Sequence, residues 1–205
     1  MSEEKRKPLI IFTQTIATGG GDLTRYIQKF YFVKNMLCGT DPKGRHLNTE
    51  KKRMDARTCD LIQRYKTNLE SGKTADFIYG HTPFIVNAEN IFNRKIHDIT
   101  MLRDPVKRFI SSYRTDINNN NTLTDFKAWV KWIESGNHTL GFNWIKFNHQ
   151  TDMLSGFQND LTTEVDLQHA KENLKKFKFV GLTEEFDNSV EIFTKVFSLP
   201  YMHRK

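Results

Sequence analysis

Apolar positions along the chain come in two spacings, and the two alternate. Pro8-Leu9-Ile10-Ile11-Phe12 is a short unbroken apolar run, the pattern of a strand buried on both faces of a parallel sheet. Leu23, Tyr26, Ile27, Phe30, Val33 and Leu37 then recur mostly at steps of three and four residues, which predicts a helix. Residues 76–80 and 98–102 read as further strands and residues 178–181 as a last one. Helices are predicted over residues 56–69, within 147–156, over 167–177, and over 184–197 with Phe186, Val190, Phe193 and Phe197 inward. Another starts at Pro105, whose fixed φ suits a first turn, with Val106, Phe109, Ile110 and Tyr113 as its apolar face. A further helix carries Phe126, Trp129, Val130 and Ile133, with Thr124 as its N-cap. Residues 39–56, with Gly39, Asp41-Pro42 and Gly44, read as a polar surface loop, and residues 118–121 as a turn-rich break. Strands alternating with helices predict an α/β fold, a parallel sheet flanked by helices on both faces. No internal repeat or domain-scale linker interrupts the pattern, so residues 1–205 read as one domain.

Composition narrows the partners. Of 205 residues, 38% are hydrophobic and sixteen are Phe, enough for a packed core and too much for wholesale disorder. The net charge of +7, from 31 basic and 24 acidic residues, suits anionic ligands such as nucleotides, sulfated sugars or nucleic acid. No basic stripe with interleaved aromatics and no nucleic-acid recognition motif is present, so nucleic acid is not an expected partner. The clusters Lys51-Lys52-Arg53 and Lys175-Lys176 read as solvated faces. Cys38 and Cys59 make no metal or CxxC spacing; two free thiols in a reducing compartment is the simpler reading, with a disulfide left open. The charged N-terminus has no apolar signal core, and no run approaches the ~18 apolar residues of a membrane span. The expected place is the cytoplasm, with no membrane partner. Oligomeric state is not legible.

Two segments carry candidate chemistry. After the first strand come Thr15, Ala17, Thr18, Gly19, Gly20 and Gly21, and then a helix. Glycines let the backbone approach a phosphate, and the N–H groups opening the helix point at it. The same pattern also fits a tight strand–helix turn with no ligand. No Gly-Lys-Ser or Gly-Lys-Thr closes the loop, which disfavours an ATPase, a GTPase or a nucleotide kinase. The second segment runs Leu102-Arg103-Asp104-Pro105-Val106-Lys107-Arg108-Phe109-Ile110-Ser111-Ser112-Tyr113. Arg103 is predicted at the carboxyl end of a strand, where open α/β sheets bind ligands, and Ser111 about two turns along the next helix. A guanidinium and a hydroxyl so placed can clamp one phosphate from two sides. An Arg103–Asp104 surface pair before an ordinary helix is the alternative. His46, His97, His138, His149 and His169 are scattered, without ligand spacing, so no metal is expected.

The second segment, Arg-Asp-Pro-x-x-Arg-x-x-Ser-x-Tyr, resembles the 3′-phosphate motif of sulfotransferases that use PAPS (3′-phosphoadenosine 5′-phosphosulfate), with a flavour of the heparan sulfate and uronyl 2-O-sulfotransferase group. Tyr79-Gly80-His81-Thr82-Pro83-Phe84 resembles the family's Gly-His segment, Asn148-x-Gln150-Thr151-x-x-Leu154-Ser155-Gly156 its downstream helix, and Phe179-Val180-Gly181-Leu182-Thr183-Glu184-Glu185-Phe186 its last strand–helix joint. The likeness spans residues 9–200. It implies a P-loop-like sulfotransferase fold, with PAPS (leaving as PAP) as co-substrate and a carbohydrate or other hydroxyl as acceptor. Carried over, Arg103 and Ser111 would hold the 3′-phosphate. Thr18, Gly19, Gly20 and Gly21, with Asp22, would form the 5′-phosphosulfate cradle. His81 would be the base, a role for which imidazole chemistry near neutral pH is suited in general.

The chain departs from the family at the loop. Where members read Pro-Lys-Thr-Gly-Gly-Thr-Ser or similar, this chain has Ile16-Ala17-Thr18-Gly19-Gly20-Gly21-Asp22. Ala17 stands at the lysine that stabilises charge on the bridging oxygen, with Arg25 and Lys107 as candidate substitutes. Asp22 is a good helix N-cap whose carboxylate would sit near a bound phosphate. The alternative function is therefore a non-catalytic nucleotide- or glycan-binding protein of the same fold. Pro200-Tyr201-Met202-His203-Arg204-Lys205 resembles the start of the family's basic loop over the adenosine, which implies either a truncated C-terminus or a minimal cover.

Overall fold

Why the glycine-rich turn, His81 and Arg103 end on one edge follows from how the strands line up. The computed structural model describes residues 7–15, 17–29, 36–38, 53–72, 75–118, 125–135, 147–156 and 162–200. The elements run β1 (Leu9–Thr13), α1 (Gly20–Ile27), β2 (Met36–Cys38), α2 (Arg53–Glu70), β3 (Phe77–Gly80), α3 (Ala88–Phe92) and β4 (Ile96–Leu102). Then come α4 (Pro105–Asn118), α5 (Phe126–Glu134), α6 (His149–Ser155), α7 (Glu164–Leu174), β5 (Phe179–Leu182) and α8 (Phe186–Phe197). The five strands form one sheet in the order β2-β3-β1-β4-β5, and every neighbouring pair is parallel. All carboxyl ends therefore share one edge. The chain leaves β1 toward β3 and β2 on one side and returns to β4 and β5 on the other, so the switch of direction lies at β1, where such sheets bind ligands.

Central β1 is buried along its whole length, as its unbroken apolar run predicts. Alternate side chains face opposite ways, and two core layers result. Ile10 and Phe12 join Leu23, Tyr26 and Ile27 of α1, Val190 and Phe193 of α8, and Ile99, Met101 and Phe179. Leu9 and Ile11 join Leu61 and Tyr65 of α2, Ile78, and Ala88 and Phe92 of α3. A third cluster sits between α4 and α5, where buried Trp129 packs against Phe109 and Tyr113. Among the described residues, no helix is long and apolar enough to cross a membrane.

Several expectations are corrected. The helix predicted through Leu37 ends with α1 at Ile27, and Leu37 lies in β2; a three-residue strand happened to fall in phase with a 3.6-residue period. Phe30 and Val33, and the loop positions Gly39, Asp41, Pro42 and Gly44, lie outside the described residues, as do Lys51, Lys52, residues 119–121, His46, His138 and residues 201–205. So do the side chains of Cys38 and Cys59. Helix α3 was not read from the sequence: it is only five residues, bounded by Asn87 and Asn93 in left-handed backbone, which asparagine tolerates better than most residues. The cap of α5 is Asp125, whose carboxylate accepts from the Ala128 N–H at 2.7 Å; Thr124 lies outside the described residues. On α4, Val106 and Ile110 are 65% and 37% exposed rather than inward. The buried face carries Arg108 and Ser112 instead, with Phe109 and Tyr113 turned to α5.

Candidate functional site

The carboxyl edge gathers four strand ends. From β1 come Gln14, Thr15, Ala17, Thr18 and Gly19, leading into α1; from β3 comes His81; from β4, Arg103; from β5, Thr183 and Glu184. The turn is held from within and from both sides. The Thr18 hydroxyl donates to the Thr15 carbonyl at 2.8 Å, and Thr15 Oγ1 lies 3.1 Å from the Met101 carbonyl at the end of β4. Thr183 Oγ1 donates to the Thr18 carbonyl at 2.7 Å and lies 2.9 Å from that of Leu102. Ala17 and Gly19 adopt left-handed backbone, φ 61° and 69°. Alanine there costs roughly 1–2 kcal/mol, and the Ala17 carbonyl is held by Arg103 Nη1 at 3.0 Å.

Gly19, not Asp22, is the N-cap of α1. Asp22 sits in the first turn, with its N–H donating to the Gly19 carbonyl at 3.0 Å. Its carboxylate pairs with Arg25, which is 75% exposed. Thr18 turns its hydroxyl inward, so a cradle here would be made by backbone N–H groups. Around the Cβ position of Gly21 the space is open, whereas at Gly20 it is filled by the Gln14 side chain, 2.6 Å away at Cγ.

Arg103 is fixed through its backbone. Its N–H donates to Gln150 Oε1 at 2.8 Å, and its carbonyl accepts from Gln150 Nε2 at 2.9 Å. The Glu184 carboxylate lies 3.8 Å from Arg103 Nε and accepts the Asp104 N–H at 3.3 Å. Asp104 caps α4, its Oδ1 accepting the Lys107 N–H at 2.9 Å, and Pro105 is the first helical residue, as expected. Half-buried Ser111 is one of the α4 residues that follow; its hydroxyl makes no hydrogen bond among the described residues. Arg108 of the same motif points inward instead. Nη2 donates to the Phe147 carbonyl at 3.2 Å, and burial lowers the guanidinium pKa to about 10 against the opposing pull of Asp152. His81 Nδ1 lies 2.9 Å from the Gln14 carbonyl. A carbonyl only accepts, so Nδ1 carries the proton and a neutral ring has its lone pair on Nε2.

A sequence model described as the sulfotransferase family matches residues 27–204. The chain belongs to the sulfotransferase family. It is 24% identical over 233 residues to heparan-sulfate 6-O-sulfotransferase 1 of Gallus gallus, covering 97% of this chain. The chain spans 56% of that relative's length. A sulfotransferase from Alicyclobacillus acidocaldarius superposes with a TM-score of 0.58 at 13% identity, over 98% of this chain and 87% of its own. The sulfotransferase fold expected from the motifs is thus the fold observed. The family match begins at the last residue of α1, so the departing loop lies outside it.

This sulfotransferase-family chain brings the loop, His81 and Arg103 to one edge of one sheet. Sequence reasoning gave no role to Gln14, Gln150, Thr183 or Glu184. The last three stood inside quoted family-like segments, so a signal existed; Gln14 carried none, because its position depends on Gly20 leaving space. Among the described residues no His, Cys, Asp and Glu cluster could hold a metal.

Proposed function

We propose that this sulfotransferase-family chain moves a sulfuryl group from PAPS to a carbohydrate hydroxyl, with His81 as base. The observation that carries the reading is the shared carboxyl edge. There, backbone N–H groups at the start of α1, a base-competent imidazole on β3 and a guanidinium on β4 flank the switch of strand direction. Arg103 and Ser111 hold the 3′-phosphate, and residues 18–22 receive the 5′-phosphosulfate. Nε2 of His81 takes the proton of the acceptor hydroxyl as that oxygen bonds to sulfur. The bond from sulfur to the nucleotide's phosphate oxygen breaks, and PAP leaves. The Gln14 carbonyl, by accepting from Nδ1, fixes the ring orientation and stabilises the imidazolium formed. The family and the carbohydrate-modifying relative support a sugar acceptor; the position sulfated is read by the assay rather than assumed to be the 2-O position.

One observation favours a second reading. Ala17 puts no cation in the loop, so the chain would bind nucleotide or glycan without turnover. Transfer of radiolabelled sulfate from PAPS to a glycan panel, alongside PAP calorimetry, separates the two. Transfer supports the enzyme, PAP binding without transfer to any glycan supports the second reading, and no PAP binding rejects the enzyme and leaves only a glycan-binding form of the second reading.

A further inference from the structure

Gln14 stands between the two halves of the site and belongs to neither motif. Its backbone is fixed by β3: the N–H donates to the Gly80 carbonyl at 3.0 Å, and the carbonyl accepts from His81 Nδ1 at 2.9 Å. Its side chain lies across the first residue of α1. A Cβ built on Gly20 would stand 2.6 Å from Gln14 Cγ and 3.0 Å from Nε2, so only glycine admits the glutamine there. The residue is half-buried, and its carboxamide makes no hydrogen bond among the described residues. Two N–H donors are thus held over the opening turn of a helix, on the residue whose carbonyl holds the imidazole, with no protein partner among the described residues. Such donors, free of protein partners, are available to a ligand group that enters over the helix opening.

We propose that the Gln14 carboxamide donates to the sulfuryl group in transit, which rests on the sulfotransferase reading above. As the acceptor oxygen bonds to sulfur and sulfur parts from the nucleotide's phosphate oxygen, negative charge shifts over the transferring group and the leaving oxygen. The acceptor's proton goes to His81 Nε2. A fixed N–H donor strengthens as that charge develops, and so lowers the barrier. The two guanidinium groups nearest the loop are otherwise engaged. Arg25 is paired with Asp22 on the outer side of α1, and Arg103 is held by the Ala17 carbonyl and Glu184. Ala17 brings none. Gln14 thereby supplies, as a neutral donor, part of what a loop lysine would supply as a charge.

Gln14→Leu keeps the stem over Gly20 and removes the donors. Gln14→Met keeps the length and gives a second apolar replacement should leucine impair folding. Single-turnover transfer from PAPS should fall about tenfold or more in both, in line with loss of one positioned donor. Affinity for PAP, which lacks the sulfuryl group, should stay within about twofold. Wild-type transfer rates in either folded variant would overturn the proposal while leaving the enzyme reading intact. So would loss of PAP affinity in step with rate, which marks a packing role, and so would failure of both variants to fold. A natural chain that binds PAP but transfers nothing, or does not bind PAP, overturns the enzyme reading and this proposal together.

Discussion

At the carboxyl end of β4, Arg103 is held through its backbone and one guanidinium nitrogen, while its buried Nε has no hydrogen-bond partner. Gln150 brackets its backbone, the Ala17 carbonyl accepts from Nη1, and Glu184 stands off Nε. Toward the amino end of the same strand, Asp98 has a buried carboxylate oxygen with no hydrogen-bond partner. Burial, with a smaller push from Glu89, raises its pKa to about 7. Next to it, burial and then Lys95 and Lys178 lower the pKa of His97. Perturbed ionisation alone does not single out the candidate site, since Asp98 and His97 lie toward the other end of the strand and Arg108 beside the site is perturbed as well. Structural charges are perturbed wherever burial outruns pairing. The candidate site is marked instead by convergence: four strand ends, a helix opening and polar side chains that hold one another's backbone.

That contrast can be broken by mutation, ranked by effect on the nucleotide chemistry. The largest loss belongs to His81→Ala. Turnover should fall roughly a hundredfold or more with donor affinity nearly intact, since a positioned base is typically worth that much. Near-normal turnover would move the base elsewhere. Next is Arg103→Ala, which removes a charge-assisted contact of about 1.5–3 kcal/mol. PAP should bind at least roughly tenfold more weakly by calorimetry. Unchanged affinity would strip the carboxyl end of its binding role.

A smaller effect of opposite sign is expected from Glu184→Gln. The carboxylate lies 3.8 Å from Arg103 Nε, where it would compete with the proposed phosphate for the same guanidinium. The amide keeps the shape and can still accept the Asp104 N–H. A partly exposed ion pair contributes about 1 kcal/mol or less, so PAP should bind up to about fivefold more tightly. Weaker binding in the variant would show that Glu184 orients Arg103 rather than shielding it.

The sequence carried the sheet and its edge because those rest on local patterns. The unbroken apolar run at Pro8–Phe12, the Pro105 start of α4 and the glycine-rich entry to α1 each follow from residues close together in the chain. What escaped depends on contacts across the chain. Val106 and Ile110 follow the helical period, yet α5 and Phe147, just before α6, approach α4 from the side of Arg108 and Phe109. Thr183 reaches Thr18 across 165 positions, and no spacing rule spans that distance. Asp22 looked like a cap by residue type, but Gly19 takes the position because only a left-handed residue turns the chain into α1 there.

Asp98→Asn should leave the nucleotide chemistry untouched and change stability alone. With the folded pKa raised from 3.8 to about 7, the folded state keeps a proton that the unfolded chain releases. Asp98 therefore contributes its full stability below about pH 4 and loses it as pH rises toward 7. The steepest slope is about 1.4 kcal/mol per pH unit. Asparagine does not ionise, so the variant should lack that slope and unfold at higher denaturant than the natural chain at pH 8, with the two drawing together at pH 4–5. Urea titrations at both pH values, with PAP affinity measured at pH 8, test both halves. Parallel stability profiles would mean that Asp98 ionises as freely in the fold as outside it. A change in PAP affinity would couple the amino end of β4 to the site and end the separation between the two ends.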